Sequence, residues 1–149
     1  MPDRLLLDAM LGKLARYLRM CGYDAAYALD RGVEADDDLL AVATAEDRTL
    51  VTRDRQLATR APRGVRIDSR EVTDQLRELR RAGFELSLAG EPARCGRCNG
   101  PVEPIDEDAS VPDYAPEPSE TPCYRCRDCE QVFWKGSHWE DVRERIEGL

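Results

Sequence analysis

Two sets of residues in this chain have the types and spacing that chemistry needs. The first is three aspartates, Asp8, Asp36 and Asp54, each beside an apolar run or at the start of a helical pattern. Asp8 directly follows Leu5-Leu6-Leu7, and Asp54 lies two residues past Leu50-Val51-Thr52. In an open parallel sheet, groups just beyond the carboxyl ends of the strands share one edge. Both carboxylates therefore belong at that edge, and Asp36, opening the intervening helix, reaches it too. Three converging carboxylates make a poor core but a good hard-cation site. Mg2+ or Mn2+ takes oxygen ligands and keeps waters for a nucleophile and a phosphate. The plainer alternatives are a helix cap for Asp36 and a helix starter for Asp54. Asp8 fits such a role least, because it follows three leucines. Lys13, Arg16 and Arg53 flank the same edge. Cations beside a metal suit a phosphodiester, whose transition state gathers negative charge. The plain alternative for each base is a solvated helix face.

The second set is cysteine. Five of the six cysteines fall between Cys95 and Cys129, and Cys95/Cys98 and Cys126/Cys129 each form a Cys-x-x-Cys pair. Two such pairs supply four thiolates to one tetrahedral Zn2+. An even count also fits three disulfides in a secreted chain, but Met1-Pro2-Asp3-Arg4 leads straight into a strand-like run without the layout of a signal peptide. Cys123 is an alternative ligand to Cys126 or Cys129. The later pair is preferred because it leads directly into Val132-Phe133-Trp134, as a ribbon knuckle should. Cys21 ends an amphipathic run and reads as an inert core residue. His138 is the only histidine, which excludes a two-histidine zinc protease and leaves little room for a Ser-His-Asp triad. Pro122-Cys123-Tyr124-Arg125-Cys126 and His138-Trp139-Glu140 match the two halves of a zinc deaminase signature. They stand in reversed order, and a deaminase leaves the aspartates unexplained.

The elements that must position these residues alternate. Strands are expected over Arg4–Asp8, Tyr23–Ala28, Thr49–Thr52 and Gly64–Asp68. Helices are expected through Leu11 to Leu18, from an Asp36 N-cap, over Asp54–Thr59, and through Val72 to Leu79, the last closed by Gly83. This alternation implies right-handed crossovers and an α/β fold with a parallel sheet covered on both faces. The composition changes near Glu91-Pro92. Six of the nine prolines and seven acids lie between Gly100 and Pro122, without one Lys or Arg, which reads as a solvated loop. A short amphipathic helix is expected from His138 to Glu147. The organisation is thus a first domain over 1–90 and a second, cysteine-bearing unit over 91–149.

Charge and length narrow the function. With 30 acids against 22 bases the net charge is −8, so the chain is no general polyanion binder and any nucleic-acid contact must come from a local basic face. Twenty of the 22 bases are arginine. That bias fits a GC-rich genome or a salt-rich cytoplasm equally. No apolar run approaches the ~18 residues of a membrane helix, so a soluble, cytoplasmic protein without membrane contact is expected.

Taken together the motifs carry a resemblance. Leu6-Leu7-Asp8-Ala9-Met10-Leu11-Gly12-Lys13-Leu14-Ala15-Arg16-Tyr17-Leu18-Arg19 resembles the opening of the PIN-like RNase family named after the C-terminal domain of Mut-seven-type exonucleases. Asp36-Asp37-Asp38-Leu39-Leu40, Leu50-Val51-Thr52-Arg53-Asp54, Arg94-Cys95-Gly96-Arg97-Cys98-Asn99, Cys126-Arg127-Asp128-Cys129 and Phe133-Trp134-Lys135-Gly136-Ser137-His138 follow in the family's order. The resemblance implies a PIN-like domain with a C-terminal zinc ribbon and metal-dependent cleavage of RNA. On it, Asp8, Asp36 and Asp54 would hold the catalytic Mg2+ or Mn2+ in a two-metal type of site. Asp37 or Asp38 is the alternative to Asp36, and Asp68 a candidate fourth acid. Lys13, Arg16 and Arg53 would hold the scissile phosphate, and Cys95, Cys98, Cys126 and Cys129 a structural Zn2+. The rival function is a non-catalytic zinc-ribbon module that binds RNA or protein.

Overall fold

Three consecutive leucines cannot alternate between core and solvent, so they demand a strand covered on both faces. In the computed structural model, which describes residues 4–88 and 90–149, that strand is β1, Arg4–Leu7, with Leu5, Leu6 and Leu7 all fully buried. Met1 to Asp3, on which the reading of the N-terminus rested, lie outside the described residues. The chain continues through α1 (Gly12–Met20), β2 (Asp24–Tyr27), α2 (Asp36–Ala45), β3 (Thr49–Thr52), α3 (Arg55–Arg60), β4 (Gly64–Arg66) and α4 (Val72–Arg81). All four strands are parallel, in the order β2-β1-β3-β4. Leu7 stands opposite Tyr27 on one side and Val51 on the other. The chain leaves β1 toward β2, then crosses back to pair β3 on the opposite side. The switch in direction falls between β1 and β3, where open sheets leave a crevice at their carboxyl ends.

The two faces follow from the two-residue period of a strand. Leu5, Leu7, Ala25 and Val51 point to one face, where Leu14 and Leu18 of α1 and Leu76 and Leu79 of α4 cover them. Leu6, Ala26 and Leu50 point to the other, covered by Leu39 and Ala43 of α2 and Leu57 of α3. The α/β architecture expected from the alternation is therefore the one observed.

The later residues form a small antiparallel sheet of β5 (Val102–Pro104), β6 (Tyr124–Cys126) and β7 (Val132–Phe133), followed by α5 (Ser137–Glu147). Two local outcomes differ from the sequence expectation. Ala35, not Asp36, occupies the N-cap of α2, and Asp36 opens the helix itself. The backbone at Val102–Pro104 pairs with β6, so the proline-rich acidic segment begins as a strand. Helix α5, expected from the sequence, sends Val142 and Ile146 into the core cluster that holds α1 and α4. Among the described residues, no helix is long and apolar enough to cross a membrane.

Candidate active site and candidate metal centre

The crevice between β1 and β3 is built by hydrogen bonds that continue where the strands stop. The Asp8 backbone N–H donates to the Val51 carbonyl at 3.1 Å, extending the β1–β3 ladder by one residue. One Asp8 carboxylate oxygen accepts the Ala9 N–H at 2.6 Å and starts a 3-10 turn over Ala9–Leu11. The other accepts the Thr52 hydroxyl at 2.7 Å. Thr52 is fully buried, and its Oγ1 in turn accepts the backbone N–H of Asp54 at 3.0 Å. Asp54 caps α3 through the Leu57 N–H at 3.1 Å. Both aspartates thus open helical turns, as the plainer reading had it for Asp54 but not for Asp8, and Thr52 links the Asp8 carboxylate to the Asp54 backbone. Thr52 was not singled out in the sequence. The readable signal was a threonine closing an apolar strand two residues before an acid.

Tyr27 is a second residue that sequence reasoning passed over. Its hydroxyl donates to the Ala9 carbonyl at 2.5 Å, holding the turn after Asp8. Burial, with the nearby Asp30 and Asp8 carboxylates, raises the phenol's pKa, so it stays a donor. A Cβ on Gly12 would lie 2.9 Å from the Tyr27 ring, so glycine at the head of α1 is what lets the ring reach Ala9.

The remaining acids share the edge without joining this cluster. Asp36 lies exposed in the first turn of α2, and its neighbour Asp37 pairs with Arg60 at 2.7 Å. Asp68 follows β4 and pairs with Arg66 at 2.7 Å. Among the described residues, the one group of three or more Cys, His, Asp or Glu side chains with ligand atoms mutually within 4.8 Å is the cysteine cluster, so Asp8, Asp36 and Asp54 do not close on a single point. Of the bases, Lys13 is exposed in the first turn of α1. Arg53 sits between Thr52 and Asp54, and its buried Nε has no hydrogen-bond partner among the described residues. The Arg16 stem lies within contact of where a Cβ on Gly96 would be, 3.4 Å away, on the flank of α1 that faces the first Cys-x-x-Cys loop.

That loop belongs to the metal centre. Four thiolates on Zn2+ at ~2.3 Å in a tetrahedron stand about 3.8 Å apart. Here the Cys95 and Cys129 Sγ atoms are 3.7 Å apart and those of Cys98 and Cys126 3.4 Å. Backbone N–H groups of Arg97 and Gly100 aim at the Cys95 and Cys98 sulfurs, both at 3.4 Å, and that of Asp128 reaches Cys126 Sγ at the same distance. Burial raises the Cys95 and Cys98 thiols, and these donors act against it, toward the thiolate that a soft metal needs. The four cysteines could therefore hold Zn2+. Cys123 is turned away, with Sγ on the carbonyls of Thr121 and Pro116 at 3.3 and 3.6 Å. Cys21 packs against the main core, and burial pushes its thiol up to about 12, as suits an inert residue.

The cysteine unit docks on the free edge of β2 through side chains that imitate a strand. Asn99 follows Cys98 with φ 71°, a left-handed turn asparagine tolerates. Its Oδ1 accepts the Ala25 N–H at 2.9 Å and its Nδ2 donates to Asp24 at 2.7 Å. From the other side buried Arg19 donates to the carbonyls of Ala25 at 2.8 Å and Gly96 at 3.0 Å. An exposed sheet edge is thereby closed.

The model of one family, described as the Mut7-C RNAse domain, matches residues 3–146, nearly the whole chain. Among curated proteins and solved structures, none matches it.

Proposed function

The chain belongs to the Mut7-C RNAse domain family, and on that premise we propose that it is a hydrolase cutting RNA phosphodiester bonds with Mg2+ or Mn2+ at the Asp8–Asp54 edge. The observation that carries this reading is the buried Thr52 hydroxyl joining Asp8 and Asp54 at the switch between β1 and β3. That one hydroxyl fixes the Asp8 carboxylate and the backbone N–H of Asp54 together.

The donor set fits a hard cation, since Mg2+ binds through one or two carboxylates and completes its shell with waters and substrate phosphates. Asp8 and Asp54 would be the protein ligands, with Asp36 entering from α2. When bound, ions of this class activate water and offset charge on the leaving oxygen. The protein's own part is placement. Thr52 and the Ala9 N–H fix the Asp8 carboxylate, and the Leu57 N–H fixes that of Asp54. Arg53, between Thr52 and Asp54 in the chain, would take a phosphate oxygen on its guanidinium, and exposed Lys13 would add charge at the head of α1. The four cysteines would hold a structural Zn2+ that keeps the ribbon on β2.

The test is cleavage of defined RNAs by the zinc-loaded chain, with and without Mg2+. Asp8→Asn and Asp54→Asn should each lower the rate at least a hundredfold with the fold intact, and Asp36→Asn should lower it more than Asp37→Asn. An Asp8→Asn protein as fast as the wild type would overturn the mechanism. The open spacing of Asp8, Asp36 and Asp54 favours one rival, a non-catalytic ribbon module that binds RNA or protein. Its signature is binding without any metal-dependent cleavage.

A further inference from the structure

The acidic edge leaves unexplained a cleft of about 450 Å³ between α1, the first cysteine loop and the segment from Val132 to Trp139. Its walls carry the aromatic rings of Phe133, Trp134 and Trp139 and the guanidinium groups of Arg16, Arg94 and Arg97. None of its lining residues is an Asp or Glu, on a chain with 30 of them. Arg94 lies 3.9 Å from Asp24, but Arg16 and Arg97 have no carboxylate partner among the described residues; the Arg97 guanidinium donates to the neutral Gln131 side chain, at 3.0 Å. The cleft is therefore locally cationic as well as aromatic.

Its principal ring is held in place before anything binds. Tyr114 stacks on Trp134 with centroids 6.3 Å apart and planes 28° from parallel. A Cβ on Gly136 would come 2.8 Å from the indole nitrogen, so only glycine lets the backbone pass there. Flat rings interleaved with unpaired arginines suit a ligand with a π-face and a phosphate, which describes an unpaired nucleotide. A duplex buries its π-faces in its own stack and offers nothing to Trp134.

Arg97 also borders a second cleft of about 420 Å³, which includes Tyr27, Asp30 and Asn99. Tyr27 is the residue whose hydroxyl holds the turn after Asp8. One arginine on the metal-binding loop thus joins the aromatic cleft to the neighbourhood of the acidic edge.

We propose that the cleft binds an unpaired nucleotide of single-stranded RNA, its base against Trp134 and its phosphate on Arg16 and Arg97. The strand would then continue past Arg97 toward Asp8, the part of the proposal that rests on the nuclease reading.

The experiment is a titration of the zinc-loaded full chain with labelled oligouridine and oligoadenosine, without Mg2+ or Mn2+, read by RNA anisotropy and tryptophan quenching. Single strands should bind and a blunt duplex of equal length should bind at least tenfold more weakly. Trp134→Ala should weaken single-strand binding by about five- to a hundredfold, the range for loss of one base–aromatic stack. Trp134→Phe should recover most of it, so a folding defect in the alanine variant does not decide the matter. Arg97→Gln should flatten the dependence of log affinity on log salt by roughly 0.7, one phosphate contact on a single strand. Wild-type affinity in Trp134→Ala with zinc retained would overturn the proposal. So would equal binding of duplex, or saturable binding of an acidic peptide where RNA fails, which would assign the cleft to a protein partner. Binding is also read in Asp8→Asn: RNA held tightly by chains that never cut would leave the cleft standing and fail the nuclease reading alone.

Discussion

Thr52 donates its hydroxyl to Asp8 at 2.7 Å from a fully buried position, while the same oxygen accepts the N–H of Asp54 at 3.0 Å. The two acids are thus fixed by a group that would never touch substrate. Thr52→Val keeps the shape and removes both bonds. It should lower stability by about 1–2 kcal/mol, because a part-buried carboxylate oxygen loses its donor. It should also lower metal-dependent RNA cleavage by about 10- to 100-fold, the usual cost of losing a group that orients a ligand. Thr52→Ser should keep most of both. Single-turnover rates beside urea unfolding measure the two effects separately.

Gly12 and Tyr27 offer a test of close approach. An alanine methyl at position 12 would meet the Tyr27 ring at 2.9 Å. Alanine favours helix by up to ~1 kcal/mol over glycine, but displacing the ring breaks its bond to Ala9 and costs ~1–3 kcal/mol. The steric term should win, and Gly12→Ala should destabilise by about 1 kcal/mol. In a Tyr27→Phe background, where that hydrogen bond is already gone, the penalty should shrink, which a double-mutant cycle by urea unfolding will detect.

How much of this was legible follows the range of the interactions. β1 and β3 could be read because Leu5-Leu6-Leu7 and Leu50-Val51 bury both faces of a strand, a signal contained in a few residues. The Cys-x-x-Cys pairs were legible because the geometry of one metal is written in their spacing. Asp36 was misplaced by one residue, since Asp36, Asp37 and Asp38 are interchangeable locally and Ala35 takes the cap with no side-chain oxygen to announce it. β5 was hidden because Glu103 and Pro104 are poor strand formers whose pairing depends on β6, twenty residues onward. Thr52 and Tyr27 act on Asp8 and Ala9 across 44 and 18 positions. No local pattern marks such bonds.

Zinc content should separate the cysteines. Cys123 is spent on the carbonyls of Thr121 and Pro116, so Cys123→Ser should retain one zinc per chain. Cys126→Ser should lose it, with cooperative unfolding of the ribbon. Elemental analysis of protein purified without chelator provides the measurement.

Asp24 should make the ribbon's docking sensitive to acid. Burial alone would raise its pKa, but hydrogen bonds from Arg48 and Asn99 and the charges of Arg48 and Arg94 prevail and bring it to about 2. A depressed carboxylate contributes stability that is complete above its unfolded pKa, near 4, and is lost as the pH falls toward 2. Asp24→Asn should therefore cost about 2 kcal/mol at pH 7, and the difference from wild type should fade between pH 4 and 2. Urea unfolding with Cd2+ on the thiolates, to resist their protonation, gives the profile. A penalty that stays constant to pH 2 would mean the charge is not what Asn99 and Arg48 hold.

Helix α5 gives the cysteine cluster a hold on a core it does not touch. Val142 and Ile146 join the core cluster that α4 and α1 share, and roughly 55 residues separate α4 from α5. A metal held by Cys95 and Cys129 would cut the effective loop to fewer than half as many, a gain in closure entropy of about 0.8 kcal/mol. The order of folding follows. On a chain emerging from synthesis, the sheet can pair once β4 is out, but the core around α1 and α4 lacks two apolar side chains until α5 follows. A metal bound by the four cysteines, all of which precede α5, would shorten the search that completes it.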